Sequence, residues 1–225
     1  MQNKNDRTWV FLVDDDPYIL RSVGRLLQSE GYQCRAFESA VAFLEAELEP
    51  FDAACLLLDI RMPEMSGVEL QKRLPGTDRD VPIIFVSAYG DIPTCVKTLK
   101  AGAFGFLPKP FDPPELIKAV REALVLSLKQ GEQRAQREAA QKTFERLSRR
   151  EREVFRLVTQ GLLNRQIAET LGIAEKTVKI HRGHMMTKLG LRSVADLVRL
   201  AAMLGDDAAP AALTEGLEVS GRAGS

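Results

Sequence analysis

Residues 53–59 read Ala-Ala-Cys-Leu-Leu-Leu-Asp, six apolar side chains closed by a carboxylate. A strand with one wet face alternates apolar and polar residues, so an unbroken run of this kind is a strand buried on both faces. Two similar runs flank it, Trp9–Asp14 (WVFLVD) and Val81–Ser87 (VPIIFVS). Tyr32–Phe37 and Phe104–Leu107 are weaker candidates. Helical spacings separate the runs. Pro17–Ser29 carries Ile19, Val23, Leu26 and Leu27 and is closed by Gly31. Ser39 can cap a helix reaching about Glu49, Gly67–Leu74 is short, and Pro93–Ala101 is closed by Gly102. Buried strands alternating with amphipathic helices predict an α/β domain with a parallel sheet covered on both sides. Five strands in about 120 residues fit the flavodoxin-like (βα)5 plan, whose ligands lie at the carboxyl ends of the strands.

A fifth helix starts near Pro113 and carries a stripe of Leu116, Val120, Leu124 and Leu128 toward the sheet. From Lys129 to Lys142 the chain is mostly Gln, Glu, Arg, Lys and Ala, with one Gly at 131. The reading is one long helix to about Phe144 whose second half bridges domains in solvent; a flexible charged linker broken at Gly131 is the alternative. Residues 145–204 form four helical stretches separated by Gly161, Gly172 and Gly190, an all-α domain. From Gly205 the composition predicts disorder. The expected organisation is 1–122, a linker helix over 123–144, 145–204, and a tail over 205–225.

The formal net charge is zero, but it is unevenly spread. Residues 1–122 hold 14 basic and 19 acidic residues, whereas 145–204 hold 12 basic and 6 acidic. Two modules with different partners follow, the basic one suited to a polyanion. The longest apolar run, Ala53–Leu58, is far short of the roughly 18 residues a membrane helix needs. Met1–Thr8 is polar, without a signal-peptide core, and Cys34, Cys55 and Cys95 have no metal-ligand spacing. Reduced thiols, no membrane and a cytoplasmic location are expected.

Asp14, Asp15 and Asp16 end the first strand, Asp59 the third and Ser87 the fourth, and Lys109 follows the fifth. These ends converge in a parallel sheet of this kind. Clustered carboxylates repel, and a hard, oxygen-only donor set with room for water favours Mg²⁺. Cation, lysine and hydroxyl around a carboxylate suit phosphoryl transfer, with Asp59 as nucleophile. Asp16, before Pro17, reads as a helix cap. Lys109-Pro110 is expected to be cis, so that the lysine points back over the carboxylates while the chain turns into the next helix.

In the basic part, Asn164–Leu171, the turn Gly172-Ile173-Ala174 and Glu175–Leu189 follow the helix-turn-helix plan. At 100° per residue Val178, His181, Met185 and Leu189 share a core side. Lys176, Ile180, Gly183 and Thr187 lie opposite, flanked by Lys179 and His184. An exposed Ile among lysines fits a major groove, against a thymine methyl. Arg182, at the edge of the core side, reads equally as a flanking phosphate contact or a surface ion pair. Ser148 and Glu151 fit a capping box.

Residues 9–122 resemble a response-regulator receiver domain, on VDDDP (13–17), LLLDIRMPEMSG (56–67), VSA (86–88) and LPKPF (107–111). The resemblance implies Asp59 as phosphoacceptor and Mg²⁺ held by Asp14, Asp15, Asp59 and the main-chain carbonyl of Arg61. It implies Lys109 binding the phosphoryl group, and Ser87 with Phe106 as the switch pair. Arg61 and Tyr89 fall where the family tunes dephosphorylation. Residues 145–204 resemble the LuxR/FixJ-type DNA-binding domain, on LSRREREVFRLV (147–158), NRQIAETLGIAEKTVKIHRGHMMTKLG (164–190) and RSVADLV (192–198). Together they resemble a FixJ/NarL-type regulator, not an enzyme beyond its own phosphorylation and dephosphorylation. The implied DNA contacts are Lys176, Thr177, Lys179, Ile180, Arg182 and His184, with Gly183 standing where a side chain is common. The implied partners are a sensor histidine kinase, double-stranded promoter DNA, RNA polymerase and a second copy of the chain. The phosphorylated dimer would form on the face made by helix 93–101, strand 104–107 and the fifth helix. A haloacid-dehalogenase-like phosphatase, with Asp14 and Asp16 as its catalytic pair, leaves the helix-turn-helix unexplained. An RNA-binding output lacks an exposed aromatic platform.

Overall fold

The computed structural model describes residues 7–88 and 92–205. Its strands are β1 (Thr8–Val13), β2 (Gln33–Phe37), β3 (Ala53–Asp59), β4 (Ile83–Ala88) and β5 (Gly105–Lys109). Between them run α1 (Pro17–Ser29), α2 (Ala40–Glu45), α3 (Gly67–Arg73) and α4 (Ile92–Lys100). Then come α5 (Pro113–Glu145), α6 (Arg149–Thr159), α7 (Asn164–Leu171), α8 (Glu175–Leu189) and α9 (Val194–Leu204). The chain divides into two units between Gln133 and Arg134. Tyr89 and the tail over 206–225 lie outside the described residues.

In the first unit all strand pairs are parallel, in the order β2-β1-β3-β4-β5. Every residue of β3 is buried. Ala54, Leu56 and Leu58 join one core with Phe11, Phe43 and Phe85, while Cys55 and Leu57 join another with Leu20, Val23 and Leu116. Continuous apolarity in the strand is thus the signature of helices on both faces. Pro108 is tolerated inside β5 because β5 is a sheet edge. Lys109 is the last residue of β5, two residues beyond the end at Leu107 expected from sequence.

Two expectations need correction. First, α2 ends at Glu45 instead of about Glu49. Arg79, more than thirty residues later, donates to the carbonyls of Phe43, Leu44 and Ala46 and stops the helix. A cap so distant in sequence leaves no local signal. Second, α5 is continuous through Gly131, but its second half is not simply a solvent bridge. Leu116, Val120, Ala123 and Leu124 are buried against the sheet, and the Ala54 amide donates to Ser127 Oγ at 3.0 Å. Leu128, by contrast, is 43% exposed.

At its far end α5 belongs to the helical unit, where Ala140 and Phe144 are buried with Leu147, Val154, Phe155 and Val158. The rings of Phe144 and Phe155 meet edge-on at 5.0 Å. Arg152 lies over Phe144 and donates to the Glu145 carbonyl at 2.8 Å, satisfying the end of the helix. The fully buried Phe155 and Val178 centre a core shared by α6, α7, α8 and α9.

Phe144→Ala is expected to cost about 3 kcal/mol through the cavity it leaves. Calorimetry of the full chain should show a lower transition for the helical unit. An unchanged transition would place the α5 terminus outside that core.

Candidate functional site

The sheet delivers three of the expected groups to one place. Asp59 ends β3, and the parallel register sets it beside Val86 of β4. Asp14 follows β1, its amide still in the ladder to the Phe37 carbonyl at 3.2 Å. Lys109 ends β5, and the Lys109-Pro110 bond is cis. Lys109 Nζ donates to Asp14 Oδ2 at 2.6 Å and to Asp59 Oδ1 at 2.7 Å. The second oxygens are held by main chain: Asp59 Oδ2 accepts from the Arg61 amide at 2.5 Å, and Asp14 Oδ1 from the Asp16 amide at 2.9 Å. Asp14 and Asp59 are buried, whereas Asp15 stands exposed beside them. Ser87 is buried one strand over, opposite Pro108 of β5. Phe106 pairs in register with Phe85 and packs on the same core.

Burial pushes the Asp59 carboxyl above its usual range, more than Lys109 and the Arg61 amide pull it down. Burial opposes charge on Lys109 too, but its hydrogen bonds to Asp14 and Asp59 prevail and hold the ammonium above the ordinary lysine value. The loop from β3 to α3 is pressed close to the site. A Cβ on Gly67 would lie 2.1 Å from the Asp59 carbonyl oxygen, so no other residue fits there without moving the strand end. Glu64 holds a positive φ of 63°, unusual for a residue other than glycine. Both features lie within the MPEMSG stretch, yet neither is readable without the backbone path.

Asp16 Oδ1 accepts from the Tyr18 amide at 2.8 Å and caps α1. That role leaves the phosphatase reading without the second catalytic carboxylate it requires. Among the described residues, no three His, Cys, Asp or Glu side chains are gathered closely enough to hold a metal. The donor chemistry nevertheless suits a hard divalent cation. Asp14 and Asp59 share one ammonium, and Asp15 adds a further carboxylate next in the chain.

The helical unit carries a second candidate surface. Gly172 takes φ +63° and lets α7 turn into α8 through Ile173 and Ala174. Val178, Met185 and Leu189 anchor α8 in the core, and His181 is half-buried on that side. Ile180 is 47% exposed, with Lys176, Lys179, Gly183 and His184 also exposed and Thr177 half-buried. Lys179 pairs with Glu175 at 3.1 Å on the open surface, a weak tie easily exchanged. Ser148 and Glu151 form the expected capping box of α6. Glu151 also accepts from Lys188 of α8 at 2.7 Å; burial raises its carboxyl, but the bonds from Lys188 and Ser148 hold it below the usual value. Arg182, half-buried, donates to Asn164 Oδ1 at 2.6 Å instead of pairing with a carboxylate. Neither partner of α8 is visible in its own sequence.

A parallel sheet ending in a carboxylate–lysine cluster is thus joined in the chain, through one helix, to a helix-turn-helix unit. Residues 10–121 match the response regulator receiver domain, and residues 145–201 match the bacterial regulatory proteins of the luxR family. The chain is 43% identical over 206 residues to the response regulator protein TmoT of Ectopseudomonas mendocina, covering 91% of this chain and 93% of that one. It is 40% identical over 205 residues to the transcriptional regulatory protein FixJ of Azorhizobium caulinodans, covering 89% and 97%. Among solved structures it is similar to the response regulator StyR, with a TM-score of 0.71 at 43% identity over 87% of this chain and 98% of that one. Full-length FixJ from B. japonicum gives 0.53 at 33% identity, covering 88% and 97%. The chain therefore belongs to the two-component response regulators, with a receiver domain and a LuxR-type DNA-binding domain. No helix among the described residues is long and apolar enough to cross a membrane.

Asp59 binds its proton more tightly folded than unfolded, so ionising it as pH rises through the raised pKa weakens the native state. Asp59→Asn should therefore melt higher than the parent at pH 7, and the advantage should shrink as pH falls through the raised pKa and be gone below the usual carboxylate range. Thermal melts across pH check this; a lower midpoint at pH 7 would contradict it.

Proposed function

We propose that this protein is a transcription regulator switched by phosphorylation of Asp59 from a sensor histidine kinase. The observation that carries the reading is Lys109 shared between two buried carboxylates at the carboxyl edge of the sheet. An Asp59 oxygen attacks phosphorus, an O–P bond forms, the P–N bond to the donor imidazole breaks, and the imidazole leaves with the electron pair. Lys109, already at Asp59, neutralises charge gathering on the phosphoryl oxygens, and the Ser87 hydroxyl donates to one of them. Asp14, Asp15, Asp59 and the Arg61 carbonyl would hold Mg²⁺. When bound, Mg²⁺ supplies positive charge against the transferring group. The Arg61 amide fixes the rotation of the Asp59 carboxylate so that one oxygen faces the donor.

The output follows from the same groups. Capture of a phosphoryl oxygen draws Ser87 inward, and Phe106 follows into the space beside β4. The face of α4, β5 and α5 then pairs with a second copy. The dimer presents two α8 helices to successive major grooves of promoter DNA, where RNA polymerase is a further partner. Lys176, at the start of α8, and Thr177 serve the phosphate backbone; Lys179, Ile180 and His184 face base edges. The setting is the bacterial cytoplasm.

With acetyl phosphate and Mg²⁺, the parent should take up acid-labile phosphate and Asp59→Asn none; stoichiometric labelling of the variant would overturn the assignment. Lys179→Ala should cost about 1–3 kcal/mol on a specific duplex and relax preference at one position per half-site. Titration against specific and scrambled duplexes at several salt concentrations reads this, and binding to both duplexes unchanged from the parent removes Lys179 from the interface.

A further inference from the structure

α8 has few apolar anchors. Only Val178, Met185 and Leu189 of its fifteen residues are buried, and Ile180 is turned outward. So narrow a stripe fixes the helix against the core but leaves its rotation weakly specified, because small turns about the axis change little buried area. Rotation nevertheless decides which side chains reach base edges. Two polar ties stand on either side of the stripe. Measured around the axis from Val178, Lys188 lies about 80° one way and Arg182 about 40° the other, with Ile180 nearly opposite. Lys188 reaches Glu151 on α6, and Arg182 reaches Asn164 on α7.

The Arg182 tie is the informative one. Arg182 Nη1 is 2.6 Å from Asn164 Oδ1, both residues are half-buried, and Arg182 forms no ion pair among the described residues. Asn164 is the first residue of α7, whose N-cap, Leu163, offers no side-chain cap. Its amide oxygen therefore bonds across the turn to α8 and does not cap its own helix. A bond to a charged donor in a half-buried setting is among the stronger neutral–ionic contacts. Arg182 also lies about 160° around the axis from Ile180, and about 60° from Lys179, so its bond to Asn164 acts close to the lysine it would orient.

We propose that Arg182 is a positioning residue, not a DNA contact: fastened to Asn164, it sets the rotation of α8 and hence the sequence that Lys179 and Ile180 read. This rests on α8 being the groove-reading helix. A phosphate contact adds affinity for every sequence and contributes to counterion release. A positioning contact alters discrimination and leaves the salt dependence of nonspecific binding alone.

The test uses the full chain, the duplex it selects from a random pool and a scrambled duplex. Arg182→Met and Asn164→Leu should each lower the specific-to-scrambled affinity ratio by roughly ten-fold. The slope of log affinity against log salt on the scrambled duplex should not change. Combined, the two substitutions should cost no more than either alone, because they remove one bond. Asn164→Asp keeps the acceptor and should keep the ratio; its comparison with Asn164→Leu serves equally if Arg182→Met does not fold. The proposal fails if Arg182→Met weakens both duplexes alike with a slope reduced by about 0.9. It also fails if the ratio is unchanged, or if Asn164→Asp loses it as fully as Asn164→Leu. Lys179→Ala separates the two readings. A ratio that survives Lys179→Ala but not Arg182→Met removes Lys179 as the reader while positioning stands. A parent chain that selects no sequence overturns both.

Discussion

Two carboxylates, Asp14 and Asp59, share one ammonium, that of Lys109, and the receiver unit is arranged around that contact. Buried charges are costly unless paired and hydrogen-bonded. Each carboxylate here has one oxygen on Lys109 and the other on a main-chain amide. The three residues come from β1, β3 and β5, and only a parallel sheet brings all those strand ends to one edge. The same arrangement leaves Asp59 reluctant to ionise while Lys109 stays charged. On the proposed function, the oxygens of an incoming phosphoryl group would take over the lysine that the carboxylates now divide.

In the helical unit a comparable logic applies to geometry. The core fixes where α8 lies, through Val178, Met185 and Leu189, and polar bonds to α6 and α7 hold its rotation. Glu151 performs two tasks at once, closing the capping box of α6 and receiving Lys188. The end of α5 is bound into the same unit through Phe144, Arg152 and the Glu145 carbonyl. The DNA-binding unit therefore begins earlier in the chain than its helix-turn-helix resemblance alone would place it.

Much of this was legible in sequence where physics is local. β3 could be read because all seven residues are buried and their apolarity is unbroken. The caps of α1, α2 and α6 could be read because Asp16, Ser39 and Ser148 bond within three residues. What was missed depends on distance. α2 stops early because Arg79 reaches back from another loop, and the α5 terminus is buried through one i, i+4 pair, Ala140 and Phe144, in an otherwise polar run. Asp14, Asp59 and Lys109 could be assembled from strand order. The Arg182–Asn164 bond joins two helices whose sequences are each compatible with other partners, and so only the folded backbone identifies it.

The central claim is that chemistry at Asp59 changes what α8 does to DNA. Its most direct test is the affinity of the full chain for its selected duplex, with and without acetyl phosphate and Mg²⁺, in parent and Asp59→Asn. The account predicts a rise of roughly ten-fold or more with the donor in the parent, within the usual range of coupling between sites, and no rise in the variant. Equal affinity in the parent with and without donor, or the same rise in Asp59→Asn, would contradict it.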